Sequence, residues 1–370
     1  MADTYKILAI NPGSTSTKIA VFENNTELMH KNVSHEASKL EEYPAVQDQL
    51  DFRKEEVEAA VKEAGIDLAE IDIFVGRGGG LHSVDGGVYI VDDVVLRDAA
   101  VGIPGQHPAQ LASQICAKFV AEYGGEAYIV NPPDTDEYEE IARFTGLKGV
   151  YRQSHNHALN QKEIALRFCA DKGLNYNESN LVIAHIGGGI SVVAHKQGKM
   201  VDGNDIIMGE GPMTPTRAGS LATVTVLKMA FSGNYTEKEL KTLLTKNSGL
   251  VSHLGTSDAR EVEAMIDEGN TYAAKVYDAM IYQIAKNIGE CATALKGKVD
   301  GIVLTGGMAH SKRLVEKLTE YCSWIAEVTA MPGEFEMEAL AAGCVRVKLG
   351  EEEAKHYAGA PVWNGVEELK

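Results

Sequence analysis

The chain has 370 residues, and 35 lysines and arginines against 53 aspartates and glutamates leave a formal charge of −18. Hydrophobic residues make up 44% and charged residues 24%, the composition of a globular protein of two or three domains. Such a field repels nucleic acid and anionic lipid, so any anionic ligand must be held by a local group of cations. Cys116, Cys169, Cys291, Cys322 and Cys344 stand far apart with no C-x-x-C pair, suggesting neither a zinc site nor a disulfide frame. The start of the chain carries acidic Asp3 and no long apolar core, and no segment reaches the ~18–20 apolar residues of a bilayer span. A soluble, cytoplasmic protein is expected.

Residues 5–10 read as a buried strand, Asn11-Pro12-Gly13-Ser14 as a turn, and residues 17–22 as the returning strand. Val57, Ala60, Val61 and Ala64 make one face of a helix over 55–64. Strands follow at 71–75 and 88–91, then a helix over 108–123 carrying Leu111, Ile115, Phe119 and Val120. Further strands are expected at 127–130, 181–186 and 190–195. Thr236-x-x-Glu239 and Asp258-x-x-Glu261 look like capping boxes opening two helices. The longest helix spans about 271–295, with Val276, Tyr277, Met280, Ile281, Ile284 and Ile288 as its apolar stripe. A strand at 301–304, a helix from about Ser311 and a strand at 325–328 complete an α/β chain.

One plan occurs twice. Residues 7–14 followed by 17–22 are strand, small-residue turn, strand, and residues 181–189 followed by 190–195 repeat it about 174 positions later. A duplicated domain whose copies each open on a hairpin explains the echo, against a chance likeness of two hairpins.

The first turn, Asn11-Pro12-Gly13-Ser14-Thr15-Ser16-Thr17-Lys18, gathers hydroxyls, a small-residue backbone and one amine. It can offer N–H and O–H donors to a phosphate, with Lys18 as a point charge, or be an ordinary Ser/Thr-rich turn. In the second, His185-Ile186-Gly187-Gly188-Gly189-Ile190-Ser191, three glycines let backbone approach a ligand; the plainer reading is a flexible bend with a core histidine. Thr305-Gly306-Gly307 after the strand at 301–304 suits a nucleoside packed on glycine backbone. Neither G-x-x-x-x-G-K-[ST] nor G-x-G-x-x-G occurs, which removes the usual support for a P-loop or a dinucleotide fingerprint. Arg77 and Arg217 stand beside glycines, where a guanidinium can bind carboxylate or phosphate oxygens, although most arginines are solvated surface residues. Asp134, Asp136, Glu334 and Glu336 could hold Mg²⁺, or simply face solvent as most acidic residues here do.

Together these stretches resemble the acetate, propionate and butyrate kinase family of carboxylate kinases. The resemblance rests on the first turn, Arg77-Gly78-Gly79, His157-Ala158-Leu159-Asn160-Gln161-Lys162, Ala184–Ser191 with its His185, Gly209-Glu210-Gly211-Pro212, Leu304-Thr305-Gly306-Gly307 and Pro332-Gly333-Glu334. It runs in order from residue 5 to about 345. It implies the duplicated actin-like ATPase (ribonuclease H-like) fold, with two α/β domains around a nucleotide cleft. Residues 1–157 and 335–370 would form an acid- and phosphoryl-side domain completed by the C-terminal helix, and 158–334 the nucleotide-binding domain.

Carried over by motif, Asn11 and Ser16 contact the transferring phosphoryl group, and Ser14 and Lys18 belong to the same phosphate turn. Arg77 holds the acid's carboxylate and phosphoryl oxygens, while His185 and Arg217 stabilise the transferring group. Gly187, Gly188 and Gly189 form the second phosphate turn, and Gly306 and Gly307 line the adenosine pocket. Asp136 and Glu336 organise Mg²⁺, each a choice of register over Asp134 and Glu334. The stretch Asn131-Pro132-Pro133-Asp134-Thr135 departs from the family's usual apolar run there. The implied reaction is butyrate plus ATP to butyryl phosphate plus ADP, with isobutyrate, propionate or acetate as alternative acids and a homo-oligomer as the expected assembly. A rival from another class is a non-kinase ATP-binding module of the same fold, which needs no cationic acceptor site.

Overall fold

The computed structural model describes residues 4–367. The chain divides into two compact units. One holds the chain up to Asp136, Ala158–Asn160 and everything from Phe335 on; the other holds Glu137–His157 and Gln161–Glu334.

The first unit is built on a six-stranded sheet. Its strands in chain order are β1 (Lys6–Pro12), β2 (Ser16–Glu23), β3 (Thr26–Ser34), β4 (Ile73–Gly76), β5 (Val88–Ile90) and β6 (Glu126–Val130), arranged β3-β2-β1-β4-β6-β5. β1 and β2 form an antiparallel hairpin with Asn11 opposite Lys18, while β4 and β6 run parallel to β1. Because side chains alternate along a strand, β1 loads both faces. Ile7 and Ala9 pack with Phe22 and Val75 against Met337, Leu340 and Cys344 of the helix Glu336–Lys348. Leu8 and Ile10 pack with Val21 and Phe74 against the helices Leu50–Glu63 and Leu111–Tyr123.

The second unit carries a five-stranded sheet of β7 (Asn180–Ile186), β8 (Ile190–Lys196), β9 (Lys199–Gly203), β10 (Gly301–Thr305) and β11 (Val328–Ala330), in the order β11-β10-β7-β8-β9. β7 and β8 are an antiparallel hairpin and β10 lies parallel to β7, with Thr305 opposite His185. The helix Thr271–Ala294 buries Val276, Tyr277, Met280, Ile281, Ile284 and Ile288 against Val182, Ala184, Ile186 and Val192. Both sheets thus place the hairpin's second strand and the third strand on one side of the opening strand, and two parallel strands on the other, the first sheet adding antiparallel β5 at its edge.

The Thr236 capping box forms in full, the Glu239 carboxylate accepting from the Thr236 N–H at 2.8 Å. Asp258 caps through the N–H of Arg260 and grips the Arg260 guanidinium, while its own N–H donates to Thr256 Oγ1 at 3.0 Å, so Glu261 does not close the second box. The last strand lies at Val328–Ala330 rather than 325–328, because pairing with β10 sets Ile302 opposite Val328. All five cysteines are buried free thiols. No helix among the described residues is long and apolar enough to cross a membrane.

Candidate active site

In the first unit the functional candidates collect at the carboxyl ends of β1 and β4. Asn11 is nearly the last residue of β1, and Arg77 follows β4 directly, its N–H donating to the Ile10 carbonyl at 3.1 Å. Phe335 adopts a left-handed conformation, φ 50°, that turns the chain into the helix Glu336–Lys348, so Glu336 opens that helix. Its carboxylate accepts from Asn11 Nδ2 at 2.8 Å and lies 3.7 Å from the Arg77 guanidinium. Asn11, Glu336 and Arg77 are therefore one cluster, and Lys18 is cross-strand from Asn11.

The hairpin tip between β1 and β2 is gripped from behind by a residue the sequence reading missed. Arg53 is fully buried in the helix Leu50–Glu63. Its guanidinium donates to the carbonyls of Ser14 and Ser16, both at 3.3 Å, to Thr17 Oγ1 at 3.2 Å and to Gln49 Oε1 at 2.9 Å. No carboxylate is among these partners, and burial pushes the Arg53 pKa down to about 10. Since a trans peptide points its C=O and N–H in opposite directions, drawing the Ser14 carbonyl inward turns the Thr15 N–H outward. The only sequence signal for Arg53 is a charge in a helix whose other apolar positions face the core, and that is a weak one.

Asp136 is buried on a segment tied to Val84, its N–H donating to the Val84 carbonyl at 2.8 Å. The neighbouring Asp134 carboxylate instead accepts from the Leu81 N–H at 3.4 Å. Among the described residues no group of three or more His, Cys, Asp or Glu is arranged to hold a metal. A magnesium ion needs less than that, since it keeps several waters and takes one or two carboxylates plus phosphate oxygens. Asp136 and Glu336 supply that kind of hard oxygen donor.

In the second unit His185 ends β7, and the Gly187–Gly189 bend closes with the Gly187 N–H donating to the Gly189 carbonyl at 3.1 Å. The His185 ring is stacked on that of His157, with centroids 4.0 Å apart. A Cβ placed on Gly189 would meet the Arg217 guanidinium and His157 Cε1, each at 3.5 Å. Arg217, His157 and His185 thus surround the glycine bend. Arg217 is fixed by mutual bonds with Thr214 and by donation to the Ile206 carbonyl. Among the described residues it has no carboxylate partner, and partial burial lowers its pKa.

Gly306, after β10, sits hard against the same bend. Its φ is +86°, and a Cβ there would lie 2.5 Å from the Ile186 carbonyl oxygen, so only glycine fits. The Gly306 N–H and carbonyl pair with Gly333, and Gly307 faces open space. His157 lies within one of the motifs that carry the family resemblance, and its stacking on His185 emerges only in three dimensions.

The acetokinase family model matches residues 141–324 of this chain. Over 354 residues, 96% of this chain and 100% of the other, it is 45% identical to a protein described as "Probable butyrate kinase" from Clostridium botulinum (strain Eklund 17B / Type B). Butyrate kinase 2 of Clostridium acetobutylicum is 43% identical over 95% of this chain and 99% of its own. Among solved structures, Porphyromonas gingivalis acetate kinase superposes with a TM-score of 0.75 at 20% identity, over 93% of this chain and 100% of that one. The fold is that of the actin-like ATPases, and with these relatives it defines a phosphotransferase whose acceptor is a carboxyl group. The chain belongs to the acetokinase family.

Proposed function

We propose that the protein is a butyrate kinase, transferring the γ-phosphoryl group of ATP to butyrate, reversibly and with Mg²⁺. The observation that carries this reading is Arg217, a half-buried guanidinium beside the Gly187–Gly189 bend with no carboxylate partner among the described residues. A partly desolvated cation that no carboxylate of the protein neutralises favours the arrival of an anion to face it. The two relatives above, at 43–45% identity over nearly the whole chain, supply the choice of butyrate.

A carboxylate is already ionised at pH 7, so its attack on phosphorus calls for no general base. What must be overcome is the repulsion between two anions, and in a chain of net charge −18 the remedy has to be local. In this reading Arg77 holds the acid's carboxylate and phosphoryl oxygens, while Asn11 and Ser16 donate to the transferring group. His185 and Arg217 stabilise that group as charge spreads over its equatorial oxygens, and His157 joins them through its ring stack. Ser14, Lys18 and Gly187–Gly189 receive the other phosphates, and Gly306 and Gly307 line the adenosine pocket. Asp136 and Glu336 would hold the metal, which would neutralise part of the phosphate charge. The first unit is then the acid and phosphoryl side and the second the nucleotide side, in a cytoplasmic homo-oligomer.

Hydroxylamine trapping with ATP and a series of acids tests the assignment. Butyryl hydroxamate, formed faster than the acetyl and propionyl products at subsaturating acid, is the expected result. ADP and inorganic phosphate without hydroxamate would refute the kinase reading, and a branched or shorter acid preferred tenfold would refute butyrate.

A further inference from the structure

A chain of hydrogen bonds runs through the interior of the second unit and ends on His157. It starts at Tyr176, whose hydroxyl is 2.8 Å from His195 Nδ1. His195 Nε2 is 3.0 Å from Gln161 Oε1, and Gln161 Nε2 is 3.1 Å from both the carbonyl oxygen and the Oγ of Ser191. Ser191 Oγ lies 2.9 Å from His157 Nδ1. His195, Gln161 and Ser191 are fully buried, so water does not complete the accounting.

The direction of every bond follows from one fixed point. A backbone carbonyl can only accept, so the Gln161 amide must turn its NH₂ toward the Ser191 carbonyl and its Oε1 toward His195. His195 must then donate from Nε2, and its Nδ1 accepts from the Tyr176 hydroxyl. At the other end Ser191 Oγ, nearer at 3.1 Å than the Ile183 carbonyl at 3.4 Å, accepts the second Gln161 N–H, and the acceptor left for the Ser191 hydrogen is His157 Nδ1. The proton of a neutral His157 ring therefore sits on Nε2. The carbon between its two nitrogens is 3.5 Å from where a Gly189 Cβ would stand, which brings the Nε2–H close to the glycine bend.

We propose that this chain makes Ser191 and Gln161 positioning residues for phosphoryl transfer, locking the His157 ring plane and presenting an N–H donor, not a lone pair, to the transferring group. The inference rests on the kinase reading for its consequence and on the hydrogen-bond chain for its geometry. A ring free to rotate or to lose its Nε2 proton would turn a lone pair toward phosphoryl oxygens and repel them. Holding the ring by a buried relay removes that reorganisation from the reaction step.

The experiment is ¹⁵N NMR of the histidine rings in the full-length protein, with His157→Gln to assign the His157 signals, alongside butyryl hydroxamate kinetics. Wild type should show a bare Nδ1 and a protonated Nε2 on His157. Ser191→Ala should broaden or shift the His157 ring signals and lower kcat about tenfold with both KM values within twofold, and Ser191→Thr should restore kcat. If Ser191→Ala does not fold, Tyr176→Phe, which removes only the outer donor, should give a smaller kcat loss and a shifted His195 signal. A protonated Nδ1 on wild-type His157, or wild-type kcat in folded Ser191→Ala, overturns the proposal. Absence of hydroxamate from wild type with the ring signals as stated would refute the kinase reading and leave the relay geometry standing.

Discussion

Replacing Arg53 by methionine sets two opposing energies against each other, and the structure allows both to be sized. The guanidinium donates to Ser14 O, Ser16 O, Thr17 Oγ1 and Gln49 Oε1. The two carbonyls lie at a partly exposed tip and can recover water. Thr17 Oγ1 keeps its 2.9 Å bond to His35, which leaves Gln49 as the principal orphan. An orphaned buried acceptor costs about 1–3 kcal/mol, so with one principal orphan the loss is roughly 1–3 kcal/mol. Against it, burial lowers the Arg53 pKa from 12.5 to about 10, and removing that strained charge returns ~3 kcal/mol. The two nearly cancel. Folded stability should change by no more than about 1–2 kcal/mol, read by calorimetry as a Tm shift of a few degrees. The hairpin tip is a different matter, because the Gly13 N–H still holds the Ser16 carbonyl at 2.7 Å but the Ser14 carbonyl loses its inward donor, and with it the outward set of the Thr15 N–H. The KM for ATP should rise at least about tenfold. Unchanged KM in a folded variant would refute the argument that Arg53 shapes the tip. A Tm loss above about 10 °C would refute the cancellation.

Arg77→Ala and Arg217→Ala should each lower kcat by roughly 10²–10³, since each removes charge from the transferring group; near-normal turnover in both would remove the site assignment. Gly306→Ala must accommodate a left-handed φ and a Cβ 2.5 Å from the Ile186 oxygen, and should weaken ATP binding and lower Tm together; an ATP affinity equal to wild type would show that the bend absorbs the methyl. Glu336→Gln keeps an acceptor for Asn11 but loses the charge, so the Mg²⁺ concentration for half-maximal rate should rise about tenfold with Tm nearly constant; an unchanged Mg²⁺ requirement would exclude Glu336 as a ligand. Burial holds the His35 pKa down to about 4 and that of His195 to about 3. Both rings are neutral in the folded state and take up protons on unfolding, so their contribution is complete above pH 6.5 and is lost as pH falls. Denaturant titrations should show stability dropping by roughly 2 kcal/mol per pH unit between roughly pH 6 and 4.5, and a flat profile there would contradict the buried, neutral assignment.

The two hairpins were legible because each pairs continuous apolar runs across a small-residue bend, a pattern that few other structures share. Their third strands were not. β3 is exposed along most of its length, and β9 is short and interrupted by charge, so neither shows a periodicity to read. The helix Ala158–Lys172 hid for the opposite reason: Asn160, Gln161, Lys162 and Glu163 are polar yet buried, which erases its apolar stripe. Within the site, residues at strand ends beside glycines, such as Arg77 and His185, announce themselves by context. Arg53, Ser191 and Gln161 work through hydrogen bonds to groups 30 or more positions away, and no local spacing encodes that.

The helix Glu336–Lys348 covers one face of the sheet begun by β1, joining Asn11 to a partner 325 positions further on. A ribosome therefore covers the earlier sheet after the later one: Ile7, Phe22 and Val75 wait bare on that face until Glu336–Lys348 emerges, when every strand of the other sheet is already made. Truncation before Phe335 would leave that apolar face permanently open, making the tail of this chain a requirement for the solubility of its head.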